Sequence, residues 1–174
     1  MRSILTLLTL LLTLQLAAQK PAASKQKRIA IGKTGCTYFN YCDTPFQIDH
    51  TTDSSRVYST ECTQADVTYG LVCVQLKNPY AELTMAEDMM IAYVDFLKQN
   101  FTVTRAAGYS KGFRLNNSDS TRGVSDQWED SEGDKWRIRA WTDGKFIGFM
   151  YTYSKKPIGE AKAEQYFEGF RFGE

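Results

Sequence analysis

Residues 123–154 read "GVSDQWEDSEGDKWRIRAWTDGKFIGFMYTYS", and no other stretch limits the fold so tightly. Two turn signals divide it into three alternating runs. In "EDSEGDKW", Ser131-Glu132-Gly133 forms a three-residue hairpin loop. Gly133 takes the left-handed position that such loops need, and Asp130 caps the turn from its first position. That register sets Trp128 across from Trp136, Asp126 across from Ile138 and Val124 across from Ala140. Asp143-Gly144 predicts a second, two-residue turn, with Ala140 opposite Ile147, Ile138 opposite Phe149 and Trp136 opposite Tyr151. Both turns sort the residues alike. Val124, Trp128, Trp136, Ile138, Ala140, Ile147, Phe149 and Tyr151 share one face. Ser125, Gln127, Glu129, Lys135, Arg137 and Arg139 share the other, with Glu129 across from Lys135. A slip of one residue would exchange the faces. The segment is an antiparallel meander with one buried side, and Asp130, Ser131, Glu132 and Asp134 read as a solvated turn. The stretch lacks the alternating oxygen ligands and distant bidentate Glu of a calcium loop.

Other strands supply the rest of such a sheet. "TPFQIDH" (44–50) alternates Phe46 and Ile48 with polar neighbours, as a half-buried strand does. "SSRVYSTEC" and "VTYGLVCVQL" are β-rich and joined by a turn at "TQAD"; the second is apolar on both faces and belongs in the middle of the sheet. The period then changes. Ala86, Met89, Met90, Tyr93, Phe96 and Leu97 recur at three- and four-residue steps, which predicts a helix over 85–99. Thr84 and Glu87 are spaced as a capping box, and Lys98 suits the last turn. A strand and turn follow over 101–115, then a loop at "NNSDSTRG". Pro157 precedes a closing helix over 159–168 with Ala163, Tyr166, Phe167 and Phe170 on one side; Phe170 and Phe172 alternate as a short terminal strand would.

The N-terminal "MRSILTLLTLLLTLQLAAQ" has one cation, an apolar run too short to span a bilayer, and a small-residue site at Ala17-Ala18. Residues 1–19 read as a secretory signal peptide, 20–35 as a basic flexible leader, and 36–174 as a single domain. This predicts a secreted or periplasmic protein with no transmembrane span after cleavage. Removing Arg2 from 21 basic and 20 acidic residues leaves an even balance, which argues against nucleic acid as a partner.

Four cysteines in an exported chain predict two disulfides, with three connectivities open. Cys62 and Cys73 lie in strands joined by a short turn, which favours Cys62–Cys73; Cys36–Cys42 follows by elimination. Their spacing does not fit structural zinc. His50, the one histidine, reads as a surface residue.

The order of elements, with the "DG" hairpin and the terminal aromatics Phe167, Phe170 and Phe172, resembles the Mog1/PsbP-like domains over about 44–172. That resemblance implies an α+β fold, an α/β/α sandwich with a central antiparallel sheet. It also implies a binding or accessory role rather than catalysis, and it carries over no functional residue.

No nucleophile–base pair, phosphate loop, metal site or cofactor motif stands out. The expected function is an exported, non-catalytic binding module with an unidentified protein or small ligand of the cell envelope as partner. Its candidate surface is the polar sheet face: Gln127, Arg137 and Arg139 with the aromatics Trp141 and Phe146, since arginine beside aromatic rings is favoured at interfaces. The alternatives are a hydrolase using Asp126, Glu129 or Asp130, and a small-ligand or divalent-metal carrier.

Overall fold

The computed structural model describes residues 27–42 and 44–173. The expected signal peptide and residues 20–26 of the leader lie outside the described residues.

Alternating sequence and short turns build one antiparallel sheet. Its strands are β3 (Gln47–His50), β4 (Arg56–Gln64), β5 (Val67–Gln75), β6 (Val103–Ala106), β7 (Ser110–Phe113), β8 (Arg122–Asp130), β9 (Lys135–Thr142) and β10 (Phe146–Ser154). Their order is β3-β4-β5-β10-β9-β8-β6, with β7 also pairing β8. Two helices, α1 (Leu83–Asn100) and α2 (Glu160–Phe167), complete a mixed α+β fold with a small separate hairpin, β1 (Lys27–Ala30) and β2 (Thr37–Asn40).

The β8–β9 register is the expected one: Trp128 faces Trp136, Asp126 faces Ile138, Val124 faces Ala140, and Gly133 has φ +83°. Across β9–β10 the pairing differs from the expected one by two residues. Ala140 faces Phe149, Ile138 faces Tyr151 and Trp136 faces Tyr153. The cause is a longer turn. The Asp143 carboxylate accepts the amides of Lys145 and Phe146, and Thr142 Oγ1 takes the Gly144 amide while donating to the Phe146 carbonyl. A shift of two leaves every side chain on its own face, so the sorting of residues survives.

The even residues of β8 and β9 and the odd ones of β10 form one core with α1, around Val124, Trp128, Trp136, Ile138, Ile147 and Phe149. The opposite face, with Tyr58, Tyr69, Leu71, Cys73, Trp141 and Met150, packs beneath α2, the β1–β2 hairpin and the C-terminal tail. β5 is buried on both sides at Thr68–Val74, as its composition predicts.

Several expectations are corrected. The helix begins at Leu83 with Glu82 at its N-cap and no side-chain cap, so the Thr84–Glu87 box does not form. It buries Ala86, Met90, Val94 and Leu97, while Met89 and Phe96 face outward. The stripe is rotated because α1 lies chiefly over β9 and β8. β3 is a wholly exposed edge strand, including Ile48, and Phe46 instead wedges between Tyr38 and Tyr58. The second half of the basic leader is structured. Arg28 lies over the Phe39 ring and donates to Thr37 and the Gly169 carbonyl, and Ile31 is fully buried.

Neither expected disulfide forms; Cys42 is bonded to Cys62, with 6.2 Å between their Cα atoms, and Cys36 and Cys73 are free. Register is the reason. The β4–β5 turn is only Ala65-Asp66, both with positive φ, and it sets Cys62 opposite Tyr69. Cys73 lies four residues further along, which leaves it about 14 Å from Cys62, beyond the Cα separation a disulfide allows. Cys36 and Cys42 stand at opposite ends of extended β2, equally out of reach of each other. The Cys42–Cys62 bond is compatible with an extracytoplasmic location. No helix among the described residues is long and apolar enough to cross a membrane.

The tail docks through one close approach. Phe170, fully buried, stacks on Trp141 at 5.9 Å and lies where a Cβ on Gly148 would fall, 2.4 Å from its ring. Gly148→Ala should therefore cost about 2–3 kcal/mol, measured by urea unfolding, with near-ultraviolet dichroism of the Trp141 region altered more than the far-ultraviolet signal.

Candidate functional site

The odd residues of β8 and β9 carry the polar half of the α2 face. Ser125 lies opposite Arg139, Gln127 opposite Arg137, and Glu129 opposite Lys135, with which it forms an ion pair. Further along the same rows β10, β5 and β4 present Met150, Leu71, Tyr69 and Cys62. The face is thus split into a charged side and an apolar side. Helix α2 straddles the boundary. Its Ala163, Tyr166 and Phe167 bury into the apolar side. Its carboxylates meet the arginines: Arg139 Nη2 to Glu164 Oε2 is 2.6 Å, and Arg137 Nη2 reaches Glu160 and Glu164 at 3.2 and 3.4 Å.

The polar sheet face is therefore not an open surface at Arg137 and Arg139. Gln127, Arg137 and Arg139 do come together, whereas Trp141 pairs with Gly123 further along the strand and is buried under Phe170. Phe146 lies at the far end of β10, opposite Gln75, buried and stacked on Phe172.

Beside Arg139 a cleft of about 490 Å³ stays open between the segment after β7 and the C-terminal end of α2. Arg139 and Trp141 form its floor, and Phe39, Phe113 and Phe167 its aromatic walls. The Arg139 guanidinium sits 5.4 Å from the ring centres of both Phe113 and Phe167. Arg114 and Arg171 add two more cations, against Glu168 as the one carboxylate on the lining. Arg114 pairs with Asp119, and Arg171 donates to the carbonyls of Glu168 and Phe170. Burial, and then the neighbouring Arg28, pull Arg171 below the ordinary arginine range, although it stays cationic. A smaller cavity of about 110 Å³ adjoins on the other side of Arg139, between Ser110, Gln127, Arg137 and Glu164. Guanidinium groups edged by aromatic rings can hold a carboxylate or phosphate together with an apolar or ring-shaped body.

Phe39, Phe113, Arg114 and Arg171 escape a sequence reading because they come from the short strand β2, the end of β7 and the segment after it, and the tail. Glu160 and Glu164 leave a signal, an i,i+4 acid pair on a helix that must land on an arginine-bearing face.

The carboxylates of the hydrolase alternative serve the scaffold. Asp126 is buried, and Oδ2 accepts the Trp128 indole at 2.8 Å with Lys98 Nζ 3.4 Å away. Its Oδ1 accepts the amides of Gly108 and Gln127. Asp130 Oδ2 accepts the Trp136 indole at 2.8 Å, and Oδ1 the amides of Glu132 and Asp134. Asp130 and Asp134 are buried rather than solvated, because this bonding draws the turn inward against Thr102. Glu129 points to the other face, paired with Lys135 and Arg105. Among the described residues no cluster of three or more His, Cys, Asp or Glu could hold a metal ion. His50 is exposed on β3.

No family model matches the chain, and no curated protein matches it.

Burial alone would raise the Asp130 carboxyl; the Trp136 indole and the amides of Asp134, Glu132 and Gly133 outweigh it and hold it below the usual aspartate range. A lowered folded pKa means stability present above the unfolded value and lost as pH falls through the folded one. Asp130→Asn should lower stability at neutral pH by about 1–3 kcal/mol. In urea unfolding across pH, the gap to the unmutated protein should close as acid carries it through and below the ordinary aspartate range.

Proposed function

We propose that the chain is an exported, non-catalytic binding module of the bacterial cell envelope or exterior, a sandwich of Mog1/PsbP-like type with the Arg139–Trp141 cleft as its ligand site. One observation carries the reading: guanidinium groups and aromatic rings converge on a cleft large enough for a small ligand or the side chains of a protein segment. The ligand is a partner molecule with a carboxylate or phosphate beside an apolar or ring-shaped body. Export is supported by the N-terminal sequence pattern and is compatible with the Cys42–Cys62 bond.

The floor supplies its own reporter. Trp128 and Trp136 are locked to aspartates on the α1 face, whereas Trp141 lines the cleft. In ¹H–¹⁵N spectra, titration with inorganic phosphate, a hexuronate and a muramyl peptide should give at least one ligand that moves the Trp141 indole signal and leaves the other two in place. Arg114→Glu, at an exposed position, should weaken that ligand about tenfold, the worth of one charge-assisted contact. Shifts confined to residues remote from the cleft, or an unchanged affinity in Arg114→Glu, would remove the cleft as the site.

A further inference from the structure

The two cysteines flanking β2 stand over the two cysteines of the β4–β5 hairpin. Cys62 and Cys73 are about 14 Å apart on the sheet, a span that extended β2 and its flanks can bridge. One end is closed, Cys42 to Cys62. At the other end Cys36 and Cys73 are both free, both fully buried and both in the same apolar cluster. Cys73 pairs with Tyr58 on β4 and Gly148 on β10, in the cluster that Cys36 caps, and the two thiols perturb each other's ionisation. The Cys36 amide donates to Thr34 Oγ1 at 3.0 Å, and the Thr34 hydroxyl donates to the Ile31 carbonyl. Around Cys36 the backbone is fitted closely, since a Cβ on Gly35 would meet the Gly173 Cα at 3.1 Å.

We propose that Cys36 and Cys73 form the second disulfide of the mature protein, pinning the start of β2 to β5 as Cys42–Cys62 pins its end. Either cysteine can attack first as its thiolate, with the other resolving the mixed disulfide. The oxidant is an external disulfide, carried by a thiol oxidase of the compartment or by oxidised glutathione. When Cys36 leads, its thiolate attacks one sulfur of the donor and displaces the other as a thiolate. Cys73 gives its proton to that thiolate, attacks the Cys36 sulfur and expels the second donor thiolate, which takes up the proton that Cys36 released. The chain loses two electrons and two protons, and the donor gains them. Because neither thiol is exposed in the docked structure, the exchange belongs to the stage before the β1–β2 hairpin settles.

The test uses the full chain, refolded with reduced and oxidised glutathione, unfolded without reductant, alkylated with iodoacetamide and digested. The expected result is no alkylated cysteine and a linked peptide joining Cys36 to Cys73 beside the Cys42–Cys62 peptide. Alkyl groups on both Cys36 and Cys73, or any other pairing, would overturn it. A Cys42→Ser/Cys62→Ser variant isolates the new bond. Reductant should lower its melting temperature by roughly 10–15 °C, and an unchanged melting temperature would refute the proposal. If that variant fails to fold, the peptide map of the unmutated chain decides alone.

Discussion

The position of one carboxylate governs both faces of the sheet. Asp130 gathers two amides of its own turn and the indole of Trp136, so the chain can reverse only with Ser131, Glu132 and Gly133 in the loop. Everything on β8 and β9 follows from that count. Even residues go beneath α1, including a second aspartate, Asp126, which holds the other indole in the same manner. Odd residues go beneath α2, where Arg137 and Arg139 find Glu160 and Glu164. A slip by one residue would place the arginines in the tryptophan core and the indoles among glutamates.

The legible part of the fold was the part fixed by local chemistry. The turn at Gly133, the Trp128–Trp136 pair, the doubly buried β5 and the buried side of α2 all rest on residues close in sequence. Where a partner distant in sequence decides, the reading fails. For α1, either Met89 or Val94 completes an acceptable stripe, and only the crossing over the sheet chooses between them. For the disulfides, nearness along the chain is a poor guide once two cysteines lie in extended strands. The Thr142–Asp143 bonding lengthened the second turn, yet an even shift cannot change a face.

The candidate site divides in the same way. Arg139 and Trp141 were recognisable as neighbours on one strand face. What turns them into a cleft is a wall from the segment after β7, another from β2, and a rim from the tail beyond α2. Those segments carry too little periodic pattern to be placed from sequence, and the helix that covers the neighbouring arginines is placed by charge matching as much as by its apolar stripe.

The backbone bridge between Thr37 and Arg171 has a temporal meaning. One layer is assembled chiefly from residues 27–42 and 160–173, joined at that bridge. A polypeptide emerging in order can pair its strands and seat its long helix while the other side of the sheet is still bare. Closure waits for residues 160–173, so the second face of the sheet stays bare, and open to capture or delay, until they have emerged.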